Sequence, residues 1–381
     1  MISMTFSAVE QNLQYLREQI DAIDERLVAS LTQRRQLVEQ VVQLKKKHQL
    51  PVYHPAREED LISRRREQGA REQLDPDYIE ELFRLILRNS RVSQSSQMSR
   101  KGIRPGAVVL LVGGAGEMGR YFHRWFAASG YEVRILDRSD WGNAAVLCQD
   151  VDLAVVGVPI EATVDVINSL APLLPAKAVL ADITSVKELP LQAMLQAYQG
   201  PVVGLHPLFG ATTSTMDKQI VVVTQGRMAA QCQWVIEQFH VWGAVTVQAS
   251  AREHDEMMTI VQALRHFATF TFGRFLHQQQ VDIRRTLEFS SPIYRLELGM
   301  VGRLFAQDPS LYAEIIFATP ERLDLLKSYL RSLNEQLELL EKEDKQAFCD
   351  EFQKISTWFG PFGDQAMRES SYLIDKLIER F

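Results

Sequence analysis

The sequence predicts a multidomain chain: an all-α module, then an α/β domain with a mostly parallel, doubly wound sheet, then an all-α C-terminal domain. Three observations predict it. No glycine occurs before Gly69 and no proline before Pro51, and apolar residues recur there at helical spacing. From Ala107, short β-branched runs alternate with amphipathic segments. After Ala249 those runs stop, and helical patterns continue to the end. The expected domains are residues 1–97, 106–250 and 251–381, with a linker over 98–105 inside the polar, punctuated stretch from Ser93 to Pro105.

Leu13, Ile20, Leu27 and Val41 fall at seven-residue spacing, and Leu16, Ile23, Leu37 and Leu44 form a second series. This describes a first helix of about ten turns with a continuous apolar seam. Such a helix cannot bury its stripe against itself, so partner helices are expected, including those of another chain in a homodimer. Pro51 and Pro55 mark a break, and further helices are expected over roughly Arg57 to Ala70 and Pro76 to Gln97. Arg34 occupies a seam position, and Lys45 lies 11 residues on, near three full turns. A buried unpaired cation is costly. The pair therefore reads either as ion pairs or snorkelling side chains, or as the lining of a pocket for an anionic ligand. Arg57 and Glu58 open the next helix, Ser90 and Gln94 share a face of the third, and Arg17 sits on the N-terminal half of the first. Arg64, Arg65 and Arg66 stand among Glu58, Glu59, Asp60, Glu67 and Glu72, the composition of a solvated helix face.

In the α/β stretch, strands are expected at Val108–Val112, Glu132–Leu136, Leu153–Val158, Val179–Asp182, Val202–Leu205, Ile220–Thr224 and Val245–Gln248. The first runs into VGGAGEMG, where Gly114, Gly116 and Gly119 stand in G-x-G-x-x-G spacing, and Asp137 ends the second. The first glycine allows a tight turn, the second close approach of backbone N–H groups to a pyrophosphate, and the third close packing of helix on strand. The acid 23 residues after Gly114 suits a ribose 2′-OH and repels a 2′-phosphate, so NAD is the expected cofactor, although Arg138 is adjacent. Glu117, Met118, Val158, Pro159 and Thr184 complete the residues expected at the cofactor. His206, in GLHPLFG, follows a strand at the sheet edge where ligands bind. Ser185 and Lys187, in DITSVK, occupy the same edge one strand earlier.

Beyond the sheet, helices are expected over roughly Arg252–Gln279, Thr286–Ala306, Leu311–Ala318, Pro320–Glu341, Lys345–Gly360 and Arg368–Arg380. Arg295 and Arg303 lie eight apart on one of them, each either a surface ion-pair partner or an inward-facing anion ligand. The hydrophobic fraction of 46% and charged fraction of 24% are ordinary for a soluble chain. A net charge of −6 gives no reason to expect nucleic acid or a membrane surface as partner. No apolar run reaches the ~18 residues of a spanning helix, and the N-terminus lacks the pattern of a signal peptide. Cys148, Cys232 and Cys349 are far apart without a C-x-x-C, which suits a reducing cytoplasm and implies no metal site.

The segment LREQIDAIDERLVASLTQRRQLVEQVVQLKK, Arg57-Glu58 and the Ser90-x-x-x-Gln94 pair together resemble the all-helical chorismate mutases over about residues 7–97. The resemblance implies an entwined dimer. Arg34, Arg57 and, from the partner chain, Arg17 would hold the two carboxylates of chorismate. Lys45 and Gln94 would bond the ether oxygen, Glu58 the ring hydroxyl, and Ser90 would line the site. His54 stands where some relatives carry an acid. The rearrangement needs no nucleophile, only donors at an oxygen that gains negative charge and restraint of the reactive conformer.

GLHPLFG, DITSVK, QALRHFATF and SSPIYRLELGMVGRLFAQDP resemble prephenate dehydrogenase over about residues 105–375. That resemblance implies His206 as acceptor of the C4 hydroxyl proton, Arg303 as ligand of the ring carboxylate, and Ser185 near the C4 hydroxyl. It places Lys187 and Arg295 in the substrate region, and His254 and His266 as structural or regulatory. Activity is then expected to fall as pH drops through the His206 pKa, near ~6.5 if unperturbed. The two halves in order resemble the bifunctional chorismate mutase/prephenate dehydrogenases of tyrosine synthesis, with feedback by tyrosine implied. Three alternatives stand beside this one: N-terminal helices that only dimerise, a preference for arogenate, or an NAD-sensing module.

Overall fold

The computed structural model describes the backbone of residues 2–48, 55–98 and 102–378, with side chains over 9–44, 57–91, 102–319 and 321–378. Three helices come first: α1 (Ile2–His48), α2 (Pro55–Arg71) and α3 (Pro76–Met98). The α1 helix is 47 residues long, about three turns more than its seam requires, and α3 continues helical through the polar Ser93–Met98 segment. Pro55 and Pro76 each open a helix, where the missing N–H costs nothing. On α1, Val42 is buried, but Leu13, Leu16, Ile20, Ile23, Leu27 and Leu37 are each 47–61% exposed. This stripe is uncovered within one chain.

The α/β region contains β1 (Val108–Val112), α4 (Glu117–Ala128), β2 (Glu132–Leu136), α5 (Ala144–Leu147), β3 (Leu153–Val156), α6 (Ile160–Leu170), β4 (Val179–Asp182), α7 (Glu188–Ala197), β5 (Val202–Pro207), β6 (Ile220–Gln225), α8 (Ala229–Val241) and β7 (Val245–Gln248). The strand order is β2-β1-β3-β4-β5-β6-β7. Pairs β1–β2, β1–β3 and β6–β7 are parallel and β5–β6 is antiparallel. The order reverses direction at β1, between β2 and β3, which is the switch point where such sheets bind ligands. All five β1 residues are buried, as a central strand requires. Helix α4 turns Phe122 and Phe126 inward at i, i+4, and they pack edge-to-face with Phe239 and Trp242 of the α8 region. The Trp242 indole donates to Ser129 Oγ at 2.9 Å, so the cluster carries no unpaired indole there.

The remaining helices are α9 (Ala251–Met258), α10 (Arg265–Gln278), α11 (Ile283–Glu288), α12 (Pro292–Phe305), α13 (Pro309–Phe317), α14 (Pro320–Glu341), α15 (Lys345–Phe359) and α16 (Pro361–Ile378). A π-turn, Thr259–Leu264, joins α9 to α10 where one continuous helix is expected. The single helix expected over Thr286–Ala306 is two. Ser291 Oγ accepts the Tyr294 N–H and Pro292 occupies the first turn, so the chain restarts there. Asp308 and Asp344 cap α13 and α15 in the same way.

By its internal contacts the chain divides into two units. One holds residues through Gly157, Leu173–Ala181 and Gln199–Gln248; the other holds Val158–Pro172, Asp182–Tyr198 and everything from Ala249. Among the described residues no helix is long and apolar enough to cross a membrane.

Candidate functional sites

The first unit carries two of the expected clusters. In the three-helix module, Arg34 of α1 donates from Nη1 to Ser90 Oγ of α3 at 2.7 Å, and Ser90 in turn donates to the Ile86 carbonyl. Two residues 56 apart in sequence are thereby brought together. Arg34 is half-buried, and burial pushes its guanidinium below the usual value. Among the described residues no ion pair to a carboxylate is formed by Arg34, and a cation half-buried without one is costly. Arg57 instead pairs with Asp60 on the exposed side of α2 at 3.3 Å. Glu58 points the other way, into an ion pair with Arg91, a residue that sequence reasoning missed. Arg17 is exposed on α1. The side chains of Lys45 and Gln94, and residue His54, lie outside the described residues.

The second cluster is the glycine turn between β1 and α4. The left-handed residue is Gly113 (φ 82°), not Gly114, one position before the expected turn glycine. Gly114 answers a different constraint: a Cβ there would fall 2.7 Å from the Ile135 side chain of β2. At Gly119 a Cβ would lie 2.5 Å from the Gly113 carbonyl oxygen and 2.6 Å from Gly114 Cα, so turn and helix touch backbone to backbone. Gly116 is the N-cap of α4 and brings no capping side chain, which leaves the first-turn N–H groups to an anion. Glu117 is exposed and Met118 half-buried beside them. Asp137 Oδ2 accepts the Ala115 N–H at 3.0 Å, so the acid braces the turn from the end of β2. The cradle fits a dinucleotide. Gly119→Ala is expected to raise the Kd for NAD about ten- to a hundredfold by displacing the turn, measured by titration of the purified protein.

His206 is buried on β5, its backbone opposite Val222 of β6. The sequence expects it just after a strand ending at Leu205, whereas β5 runs two residues further and includes it.

In the second unit, Lys187 is fully buried and its ammonium meets Asp182 Oδ2. Burial lowers the Lys187 pKa, and Asp182 works against that. Thr184 Oγ1 contacts the same Asp182 oxygen at 2.5 Å and the Val186 carbonyl at 2.9 Å. Lys187 and Thr184 thus share one oxygen of the buried Asp182, whereas the sequence placed them facing substrate and cofactor. Ser185 between them is half-exposed. Asp255, also missed, accepts the N–H groups of Lys187 and Glu188 at 2.8 and 3.0 Å, capping α7, and meets His254 Nδ1 at 2.7 Å. Burial alone would raise the Asp255 pKa, but these bonds, led by that from His254, hold it below the usual carboxylate value. Glu314 accepts the Ile160 N–H at 2.7 Å and caps α6, just beyond Val158 and Pro159. Unlike the local caps Asp308 and Asp344, the Asp255 and Glu314 caps are long-range, so no local pattern announces them. Arg295 donates to the Leu287 carbonyl at 2.6 Å, closing the end of α11, while Arg303 is exposed on α12.

His266 is buried with its ring edge-on to Tyr312 at 4.7 Å, and Arg265 Nη2 lies 3.2 Å from its Nε2. Burial first, then the neighbouring cation, pushes its pKa down to about 4. Its contribution to stability is fully present above the unfolded value near ~6.5 and lost as pH falls through about 4, up to about 3 kcal/mol. His266→Gln is therefore expected to flatten the fall in Tm between those two pH values, measured by thermal melts.

Among families, the model for chorismate mutase type II matches residues 16–95. Those for the nucleotide-binding and dimerization domains of prephenate dehydrogenase match residues 128–248 and 250–354. The glycine turn lies ahead of the second match. The T-protein of Enterobacter agglomerans is 44% identical over 359 residues, covering 94% of this chain and 96% of that protein. The T-protein of Haemophilus influenzae is 41% identical over 365 residues, covering 96% and 97%. Among solved structures, prephenate dehydrogenase from A. aeolicus, in complex with hydroxyphenyl propionate and NAD+, superposes with a TM-score of 0.56 at 18% identity. The match covers 67% of this chain and 98% of that one, and it shows a shared fold.

Proposed function

Because the chain belongs to the family of bifunctional chorismate mutase/prephenate dehydrogenases typified by the T-proteins, we propose that its two reactions of tyrosine synthesis run at separate sites: Arg34, Lys45, Arg57, Glu58, Ser90 and Gln94, with Arg17 of a second copy, for the first, and His206, Ser185, Arg295 and Arg303 for the second. The observation that carries the first assignment is the Arg34–Ser90 bond, which joins α1 and α3 at a half-buried cation with no carboxylate partner among the described residues.

In the first reaction the ether C–O bond of chorismate breaks as a C–C bond forms, and negative charge builds on the departing oxygen. Arg34, Arg57 and Arg17 fix the two carboxylates, which restrains the reactive conformer. Lys45 and Gln94 donate to the oxygen where charge grows, an interaction stronger in the transition state than in the ground state. In the second, His206 in its neutral form takes the C4 hydroxyl proton of prephenate, Ser185 assists at that hydroxyl, and Arg303 holds the ring carboxylate. That carboxylate leaves as CO2 and the ring becomes aromatic. Gly114, Gly116, Glu117, Met118, Gly119 and Asp137, with Val158, Pro159 and Thr184, are the proposed residues for NAD, which would supply the acceptor for the hydride from C4. Lys187, expected from the resemblance in the substrate region, would act there through its buried pair with Asp182.

The exposed apolar stripe of α1 supports a homodimer, since a seam of that length in water is stable only against another helix. Tyrosine, the aromatic end product, is the proposed feedback ligand at or near the prephenate pocket, and the cytoplasm the proposed compartment. The purified full-length chain, given chorismate and NAD, is expected to consume chorismate and produce NADH after a lag. NADH from added prephenate without chorismate loss would reduce the first module to dimerisation alone.

A further inference from the structure

Glu58 is held from outside the expected mutase residues. Arg91, one position past Ser90 on α3, donates from Nη1 to Glu58 Oε2, and its Nε lies 3.0 Å from Asp217 Oδ2. The three side chains are only 16, 15 and 10% exposed for Glu58, Arg91 and Asp217. Asp217 belongs to the segment between β5 and β6, more than a hundred residues downstream, in the nucleotide-binding domain. Its position is fixed by backbone contacts of its own. The Asp217 N–H donates to Thr215 Oγ1 at 3.1 Å, and the Lys218 N–H donates to the Gly243 carbonyl at 2.8 Å. Gly243 has φ +92°, and a Cβ there would fall 3.1 Å from Asp217 Cα. The carboxylate is thus anchored before Arg91 reaches it.

We propose that Arg91 and Asp217 are positioning residues for Glu58, so that the mutase site is completed by a carboxylate of the dehydrogenase's nucleotide-binding domain; this rests on Glu58 being the ligand of the chorismate ring hydroxyl. A guanidinium is a planar fork and can serve two carboxylates in fixed directions, which a lysine ammonium does less well. Held at one end by Asp217, Arg91 fixes the rotamer of Glu58 through Oε2 and leaves Oε1 for the hydroxyl. Without the guanidinium, two carboxylates would share a largely water-excluded space and repel. Burial already pushes the Asp217 carboxyl above the usual range, with Arg91 the first counterweight. The link acts on binding of the ground state as much as on the transition state, so its loss should appear in KM rather than kcat.

The test uses the full-length chain and measures KM and kcat for chorismate. Arg91→Gln is expected to raise KM about tenfold and Asp217→Asn about threefold, with kcat within about twofold and Arg91→Lys restoring part of the loss. Oxidation of prephenate by NAD, unchanged in Asp217→Asn, reports that the nucleotide-binding domain is intact. In a Glu58→Gln background, itself raised in KM, neither change is expected to add further. Unaltered KM in both Arg91→Gln and Asp217→Asn overturns the proposal. So do full effects that persist in Glu58→Gln, because the pair would then act through the fold and not through Glu58. If Glu58→Gln alone leaves KM unchanged, Glu58 is not a substrate ligand, and the underlying assignment falls together with the link.

Discussion

Lys45→Ala is expected to lower kcat for chorismate about 10²- to 10³-fold and to leave oxidation of prephenate by NAD unchanged. That is the cost typical of removing one donor from an oxygen that gains charge in a transition state. The rearrangement has no proton transfer and no covalent intermediate through which an alternative group might compensate. Lys45 is 11 residues from Arg34 in the sequence, close to three full helical turns, a spacing that predicts both cations on nearly one face. Arg34, already tied to Ser90, would still hold a carboxylate. KM for chorismate should therefore change much less than kcat. Stopped assays with chorismate alone, and separately with prephenate and NAD, measure both. Loss of both activities in a folded protein would contradict separate sites.

His206→Asn is expected to do the reverse, lowering kcat for prephenate about 10²- to 10⁴-fold, the range for removing a general base, with chorismate turnover intact. Asparagine keeps a hydrogen-bonding side chain of similar reach and cannot take the proton. The residue is buried on a strand paired in register with β6, so the backbone should tolerate the exchange. If His206 is the base, the acid limb of the pH–rate profile should be lost in the variant. A variant that keeps that limb would move the base elsewhere.

The order and type of the elements were legible because they are local. β-branched runs of four to six residues lie within a residue or two of the expected strands, and β1, β2, β4 and β7 start and end where expected. The errors fall where one residue outweighs periodicity. Ser291-Pro292 restarts a helix that the apolar pattern runs through, and the Thr259–Leu264 π-turn leaves no mark in composition. In the glycine turn the motif pointed to the right backbone, yet Gly113, outside the spacing, is the residue that takes positive φ. The motif records which positions exclude a Cβ, and two neighbouring glycines can divide that work.

What the sequence determined by itself was the chemistry available. It placed cations and amides without a nucleophile on three helices, a glycine turn with an acid at the next strand end, and a histidine after a buried strand. It also determined that α1 carries a stripe too long for one chain to cover. Only the tertiary structure decided which charges pair. Lys187 turned inward to Asp182, Glu58 and Asp217 both to Arg91, and Asp255 and Glu314 to the N-termini of α7 and α6. A pattern of spacing fixes which residues share a helix face or a strand edge. It cannot fix which partner, from five to more than a hundred positions away, each buried charge meets, because burial forces it to find one among whatever the fold brings within a few ångströms.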